Sequence, residues 1–438
     1  MARLDDALYL GAAREDITPK VGCALYGYRP DWFSDSLNDP LEAIAFYFKQ
    51  GDTCALMITA SLCLIKTSLY ERIEKMITER FGIPAENIMI HATHTHSGPN
   101  VAGTVGWGDV DTEYVEGIMI PALMKVVEKA VADQTAVTMG IARGESLVGI
   151  NRRQIDVNNR VILGQNPWGS FDPRMTVLSF KGTDGKIKAN LIHYGAHGTA
   201  SGMNKEISRD WMGVMTDKLT RITGGITAFF NGPEGDVGPR LTNGLTVGYK
   251  CAADAMELGA VAAQDAVRIF RDMGGYANAA LSVSRKDIQI PLSPRPDKQT
   301  LEEKFGVYKN ETVNINAAKG EYYRRIMGSY EAGYEDKPYR TLPQTVIRLG
   351  DVAFVSFPYE LFSEIGMRIA QESKIPYVLS LSNTNGSEGY FVTEDQICRG
   401  GYEIEMFKTG YIQPYADNAD WGVVTETLKH LSEVQSQL

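Results

Sequence analysis

Cysteine and histidine are scarce in this sequence, and long hydrophobic or basic runs are missing. Five cysteines (Cys23, Cys54, Cys63, Cys251 and Cys398) are scattered through 438 residues. They lack the paired spacing that a thiolate metal site or a disulfide framework requires. The pattern predicts reduced thiols in a cytoplasmic protein. The longest apolar run, residues 55–65, is too short to span a bilayer and contains Thr59 and Ser61. The opening Met1-Ala2-Arg3-Leu4-Asp5-Asp6 has no charged-then-apolar secretory pattern. The formal net charge is -10 and no cluster of Lys or Arg interrupts it, so there is no electrostatic footprint for nucleic acid. These absences predict a soluble protein with no nucleic-acid partner and no integral membrane segment. Hydrophobic residues make up 44% and charged residues 22%, which is enough to bury a large core and argues against wholesale disorder.

Periodicity organises the first hundred residues. Residues 10–18, 43–49 and 53–61 read as strands, the last a buried run of branched side chains. Residues 68–81 have helical spacing, with Leu69, Ile73, Met76 and Ile77 on one face and Gly82 and Pro84 as stops. A strand over 87–94 follows. Strand, helix and strand within about 40 residues form a crossover unit, which predicts a parallel pair and an α/β fold. Further strands are expected at 176–181, 187–192, 227–231, 281–290 and 377–381, with a hairpin of 344–349 and 352–357 turning at Gly350-Asp351. Helices are expected at 112–133, 211–220, 252–271, 361–372 and 423–434. The stretch 291–343 is charged, rich in Tyr and Lys and poor in apolar runs. It reads as a helical insertion or lid on one catalytic domain that occupies residues 1–438.

Five of the six histidines fall in two short segments, Ile90 through Pro99 and Ile192 through Thr199. Histidine is the commonest metal ligand and acid/base group, so clustering points to a site. On a strand, residues two apart share a face, so His94 and His96 are expected to project together and His91 away from them, in a structural role. Ser97-Gly98-Pro99 ends the strand just beyond. His193 and His197 would share a face of either a strand or a helix. His197 lies nearer a glycine-punctuated loop and is the better ligand candidate.

These segments resemble the neutral/alkaline, non-lysosomal ceramidases over nearly the whole chain. Thr93-His94-Thr95-His96-Ser97-Gly98-Pro99 is similar to that family's signature, and Ala196-His197-Gly198-Thr199 to its second histidine motif. Asn151-Arg152 resembles its Asn-Arg-Ser motif, and Gly235-Asp236-Val237-Gly238-Pro239 its Gly-Asp-Val-Ser-Pro box. Phe357-Pro358-Tyr359-Glu360-Leu361 resembles its Pro-Gly-Glu-Phe motif. Ser382-Asn383-Thr384, Gly389 through Thr393 and Gly401-Tyr402-Glu403 are similar to its C-terminal tyrosine region. The resemblance implies a ceramidase-like catalytic domain with a mixed β-sheet core flanked by helices. It also implies a Zn2+ held by His94, His197, Glu360 and Tyr390. His96, Arg152 and Tyr402 match positions that handle the scissile carbonyl and attacking water, although Arg153 could replace Arg152 by a register slip. Gly27 resembles a glycine beside the site, and Asp236 a substrate-binding or loop-capping position. Outside the resemblance, Glu360 would read as a helix N-terminal carboxylate and Tyr390 as a packed aromatic.

The sequence departs from the family at Gly238, where a serine proposed as nucleophile has no counterpart. Metal-bound water attacking a carbonyl needs no serine. The chain ends soon after the tyrosine motif, so the additional C-terminal domain of the longer ceramidases is expected to be absent. The expected function is therefore zinc-dependent hydrolysis of a small-molecule substrate, the amide of a small N-acyl or polar metabolite and not necessarily ceramide. The alternatives are an ester, a lactone or a glycoside on the same scaffold, the last drawing on Asp210, Asp236 and Glu360. A metal-binding protein that has lost catalysis is the remaining reading.

Overall fold

Eight strands make the larger of two main sheets in the computed structural model, which describes residues 7–435. Their order is Ile226–Asn231, Ile187–Tyr194, Arg174–Gly182, Thr135–Glu145, Leu8–Asp16, Glu42–Gln50, Thr53–Ala60 and Ile88–Ala92. The central pairs are antiparallel, but both outer pairs are parallel. Helix Thr67–Phe81 makes one crossover and helix Asp210–Thr223 lies in the other. The predicted crossover unit is therefore present, and a second one lies at the opposite edge. The two edges are brought together: Thr59 Oγ1 donates to the Phe229 carbonyl at 2.9 Å, and the Asn231 N–H donates to His91 Nε2 at 2.9 Å.

A four-stranded sheet, Leu281–Pro291, Tyr339–Leu349, Val352–Ser356 and Tyr377–Leu381, packs on the larger one. Phe46, Phe48, Phe180 and Phe230 from the first sheet meet Ile347, Phe354 and Leu379 from the second in one core. Helices cover the outer faces. Thr67–Phe81 and Ile120–Ala132 pack on one half of the large sheet, and Asp210–Thr223 and Ala253–Arg271 on the other. Ser363–Glu372 and Ala419–Gln435 cover the small sheet. The result is a mixed α/β architecture of two facing sheets between helical layers, which the crossover reading anticipates in class but not in its second sheet layer.

Several boundaries differ from the sequence reading for physical reasons. The central strand Thr135–Glu145 is not anticipated, because Gly140 and Gly144 break its apolar alternation. Both are small because helix Ala253–Arg271 and the segment that follows it come close: a Cβ at Gly144 would lie 2.7 Å from Ile269 Cγ1, and one at Gly140 2.3 Å from Met273 Sδ. The 112–133 helix contains a wide turn, Val115–Met119, between Thr112–Tyr114 and Ile120–Ala132. The predicted helix over 361–372 begins at Ser363, because Glu360–Leu361 forms a short parallel pair with Tyr390–Phe391. Within 291–343, Pro291 and residues 339–343 belong to a long antiparallel pair. Helices Lys298–Tyr308 and Asn314–Glu331 occupy the excursion between its strands and pack on each other through Leu301, Tyr322 and Ile326. No helix among the described residues is long and apolar enough to cross a membrane.

Candidate active site

The residues singled out in the sequence gather beyond the C-terminal ends of parallel strands, the end of an α/β sheet at which ligands characteristically bind. His94 and His96 follow Ile88–Ala92, and His197 follows Ile187–Tyr194. Glu360 follows Val352–Ser356 and pairs in register with Tyr390.

His94 and His96 do not lie on a strand face, contrary to the expectation from their spacing. The strand stops at Ala92, and His94 sits at φ 70, in the left-handed region. This uncommon conformation for a non-glycine residue is held by two backbone bonds, Thr93 N–H to Ala60 O at 3.0 Å and His94 N–H to Leu62 O at 2.9 Å. The next turn is tied to the second motif: the His96 N–H donates to Gly198 O at 3.1 Å, and Thr95 and Gly198 form a parallel bridge. Loop stitching, not the strand pleat, brings the two histidine motifs together.

Ring orientation follows from backbone acceptors. His94 Nδ1 donates to the Cys63 carbonyl at 2.8 Å, and His197 Nδ1 to the Glu234 carbonyl at 2.8 Å. Each imidazole thereby presents Nε2 as its lone-pair nitrogen, the tautomer a metal ligand needs. Glu360 Oε2 lies 3.4 Å from His94 Nε2 and 3.1 Å from His197 Nε2. The ligand atoms of all three residues lie within 4.8 Å of one another, and all three side chains are buried. Burial opposes the Glu360 charge, yet His94 and His197 hold its carboxyl well below the usual carboxylate range. Burial, reinforced by Arg152, pushes the His197 imidazole down to about 3, so it is neutral. Two oriented nitrogens and a buried carboxylate make a donor set that could hold a metal ion. The Tyr390 hydroxyl lies 3.4 Å from His197 Nε2 and completes the ring of donors.

Around this cluster, His96 Nε2 approaches His94 Nε2 at 3.3 Å, and its Nδ1 is buried with no hydrogen-bond partner. Arg152 donates to the Tyr390 hydroxyl at 2.9 Å and to Glu403 at 2.8 Å. Arg153 turns away toward Glu403, the Gly400 carbonyl and Gln396. Of the two arginines, Arg152 faces the cluster. Tyr402 packs edge-on against Tyr390, with ring centroids 5.7 Å apart. His94, His96, Glu360, Tyr390, Tyr402 and Gly27 all line one cavity of about 590 Å³.

Other residues singled out in the sequence lie outside this cavity. Asp236 does not line this cavity. It accepts from the Ser363 N–H at 2.7 Å and from Asn151 at 3.3 Å, so it caps helix Ser363–Glu372 and braces the Asn151 loop instead of meeting substrate. Asp210 holds the Ala200 and Ser201 N–H groups at 3.1 and 2.8 Å. His91 is structural, as expected, bonding Ser382 O, Thr384 Oγ1 and the Asn231 N–H. Gly238 is also away from the cavity, and a Cβ there would meet Thr246 Cβ at 2.7 Å.

Sequence reasoning assigned no role to four neighbours of the cluster. Cys63 lines the cavity, with Sγ 3.7 Å from His94 Nδ1. A lone cysteine in Ser61-Leu62-Cys63-Leu64 carries no signal of this. Glu403, fully buried, holds Arg152 and Arg153. Asn383 donates to Glu234 Oε1 at 2.7 Å, and burial pushes the Glu234 carboxyl up to about 8. Glu403 and Asn383 lie in quoted motifs, where their adjacency to Tyr402 and Ser382 was the available clue.

Residues 8–264 match the family model described as neutral/alkaline non-lysosomal ceramidase, N-terminal. This chain belongs to that family. Neutral ceramidase from Mycobacterium tuberculosis is 26% identical over 266 residues, 55% of this chain and 41% of that protein. The match thus spans less than half of that relative's length. The crystal structure of neutral ceramidase from Pseudomonas aeruginosa superposes with a TM-score of 0.75 at 17% identity, covering 99% of this chain and 75% of that one. A ceramidase complexed with C2 gives a TM-score of 0.75 at 16% identity, covering 99% and 76%. The ceramidase fold therefore extends through this chain beyond residue 264, and includes the segments that carry Glu360, Tyr390 and Tyr402.

Proposed function

We propose that this chain is a zinc-dependent hydrolase that cleaves the amide bond of N-acyl compounds, either ceramide-like or smaller and more polar. The observation that carries the reading is the orientation of His94 and His197. Backbone carbonyls take the Nδ1 proton of each, so both Nε2 lone pairs converge on Glu360. A divalent cation at this point would neutralise the buried carboxylate and engage both Nε2 atoms. His94, His197, Glu360 and Tyr390 would hold the metal. A bound zinc ion supplies Lewis acidity, polarising a carbonyl oxygen and lowering the pKa of coordinated water.

The chain's own residues supply the rest. His96 Nε2 faces the same space as His94 Nε2 and is the group to hold and pass a proton there. Arg152 is a permanent donor fork, oriented by Glu403 and directed at Tyr390. Burial pushes the Tyr402 hydroxyl upward, so it stays a donor for a developing oxyanion. Helices Lys298–Tyr308 and Asn314–Glu331 belong to the same catalytic domain, and Ala318, Glu321 and Arg325 of the second form part of the cavity wall, a lid over the site.

The glycoside reading loses its support, because Asp210 and Asp236 are engaged with backbone N–H groups away from the cavity. A panel of N-acyl amides and matched esters, assayed with the zinc-loaded and the chelator-treated protein, tests the proposal. Zinc-dependent amide cleavage is expected. Turnover of amides that is indifferent to chelation, or of esters alone, would overturn it.

A further inference from the structure

The cavity has a charge distribution that the metal cluster does not account for. Three cations and three carboxylates line it: Lys66, Arg325 and Arg340, with Glu321, Glu360 and Glu388. Glu360 belongs to the donor cluster. Glu388 is engaged by Arg340 in an ion pair and by Thr67 Oγ1 at 3.2 Å. Glu321 is gripped by both arms of Arg324, at 2.8 and 2.5 Å. Lys66 and Arg325 are left over. Neither side chain has a hydrogen bond or ion pair among the described residues, and burial and then Arg325 hold the Lys66 ammonium below its ordinary pKa. Glu321 attracts Arg325 only from within its pair with Arg324.

Two unneutralised cations facing one cavity repel each other, and an arriving anion relieves that repulsion while gaining charge-assisted bonds. Part of the remaining lining is apolar, with Leu64, Val105, Trp107, Met406 and Ile412 offering a surface for a hydrocarbon chain. A volume of about 590 Å³ lies within the range of small-molecule pockets. We propose that Lys66 and Arg325 form an anion subsite that selects N-acyl substrates bearing a carboxylate on the amine side of the scissile amide, as in an N-acyl amino acid. This deepens the amide-hydrolase reading and rests on it for the position of the bond that is cut. Lys66 comes from the turn that begins helix Thr67–Phe81 and Arg325 from helix Asn314–Glu331, so the subsite couples the core sheet to the inserted helices.

The test compares N-octanoylglycine with its uncharged carboxamide, by calorimetric binding and by turnover, in zinc-loaded wild type. Arg325→Gln alone and Lys66→Met combined with Arg325→Gln provide the controls. Arg325 is exposed, so its single replacement leaves the fold intact if the double variant does not fold. The free acid is expected to bind about tenfold more tightly than the carboxamide, with the preference shrinking in Arg325→Gln and disappearing in the double variant. Equal affinity for acid and carboxamide in wild type, or an acid preference unchanged by Arg325→Gln, would overturn the subsite. Preferential binding of the acid without cleavage would sustain the subsite while sinking the amide-hydrolase reading.

Discussion

A Cβ atom on Gly27 would lie 2.4 Å from His96 Nδ1. Gly27 also has φ +122, a conformation that side chains rarely adopt. The absence of a side chain at position 27 thus gives the His96 ring its room. Gly27→Ala should displace the imidazole and lower turnover by about 100-fold, the scale of a small misplacement at a reacting centre. Zinc content should be unchanged, because His94 and His197 are oriented from other directions. A Gly27→Ala protein with wild-type kcat would show that His96 placement is unimportant.

His91 and His94 are three residues apart and should fail in opposite ways. His91 joins the two edges of the large sheet through Asn231 and reaches Ser382 and Thr384. Replacing it by Ala orphans buried backbone groups, each worth about 1–3 kcal/mol, so the denaturant midpoint should fall while the folded fraction retains zinc. His94→Ala should lose zinc. Loss of metal in His91→Ala under folding conditions would contradict this division.

Glu403 is the sole carboxylate in contact with both Arg152 and Arg153 among the described residues, and it is fully buried. Removing one member of a buried ionic group costs about 3–5 kcal/mol. Glu403→Ala should therefore be strongly destabilised, and Glu403→Gln should fold better yet lose activity through a misdirected Arg152. Thermal unfolding and kcat measured together check both halves. An unimpaired Glu403→Gln enzyme would remove Arg152 orientation from the account.

How much of this was legible in the sequence depends on what kind of signal each residue carried. His94 and His197 stood out because histidines are few and clustered. Glu360 and Tyr390 had ordinary alternatives, a helix-start carboxylate and a packed aromatic, and only the family resemblance raised them. Their pairing across a two-residue parallel bridge is a long-range event that no local periodicity encodes. The outer strands show themselves as apolar runs, whereas Thr135–Glu145 is hidden by glycines that make room for a helix and its following segment more than a hundred residues later. Alternation places His94 on a strand, because it cannot reveal a left-handed residue. Of the two readings for Asp236, the capping one matches its bond from the Ser363 N–H, a partner set by tertiary structure that no local pattern shows.

Acid stability should carry the imprint of a buried histidine far from the site. His430 Nδ1 donates to Gln344 Oε1 at 3.1 Å and its Nε2 accepts from Ser284 at 2.9 Å, which fits the neutral ring. Burial, with Lys286 nearby, pushes its pKa down to about 4. The unfolded chain takes up this proton near pH 6.5, so stability should fall as pH drops from about 6.5 to about 4 and level off below. His430→Gln should flatten that decline in urea midpoints measured at pH 7 and pH 5. Parallel declines in both proteins would exclude His430 as a source.

The central claim is that His94, His197, Glu360 and Tyr390 hold a catalytic zinc. The most direct measurement is zinc per chain by elemental mass spectrometry, taken with amide turnover on the same samples of wild type, His94→Ala and His197→Ala. About one zinc per chain in the wild type, and neither zinc nor turnover in the two variants, is the predicted result. A variant that keeps full turnover without the metal, or a fully active wild type that never carries it, would contradict the account.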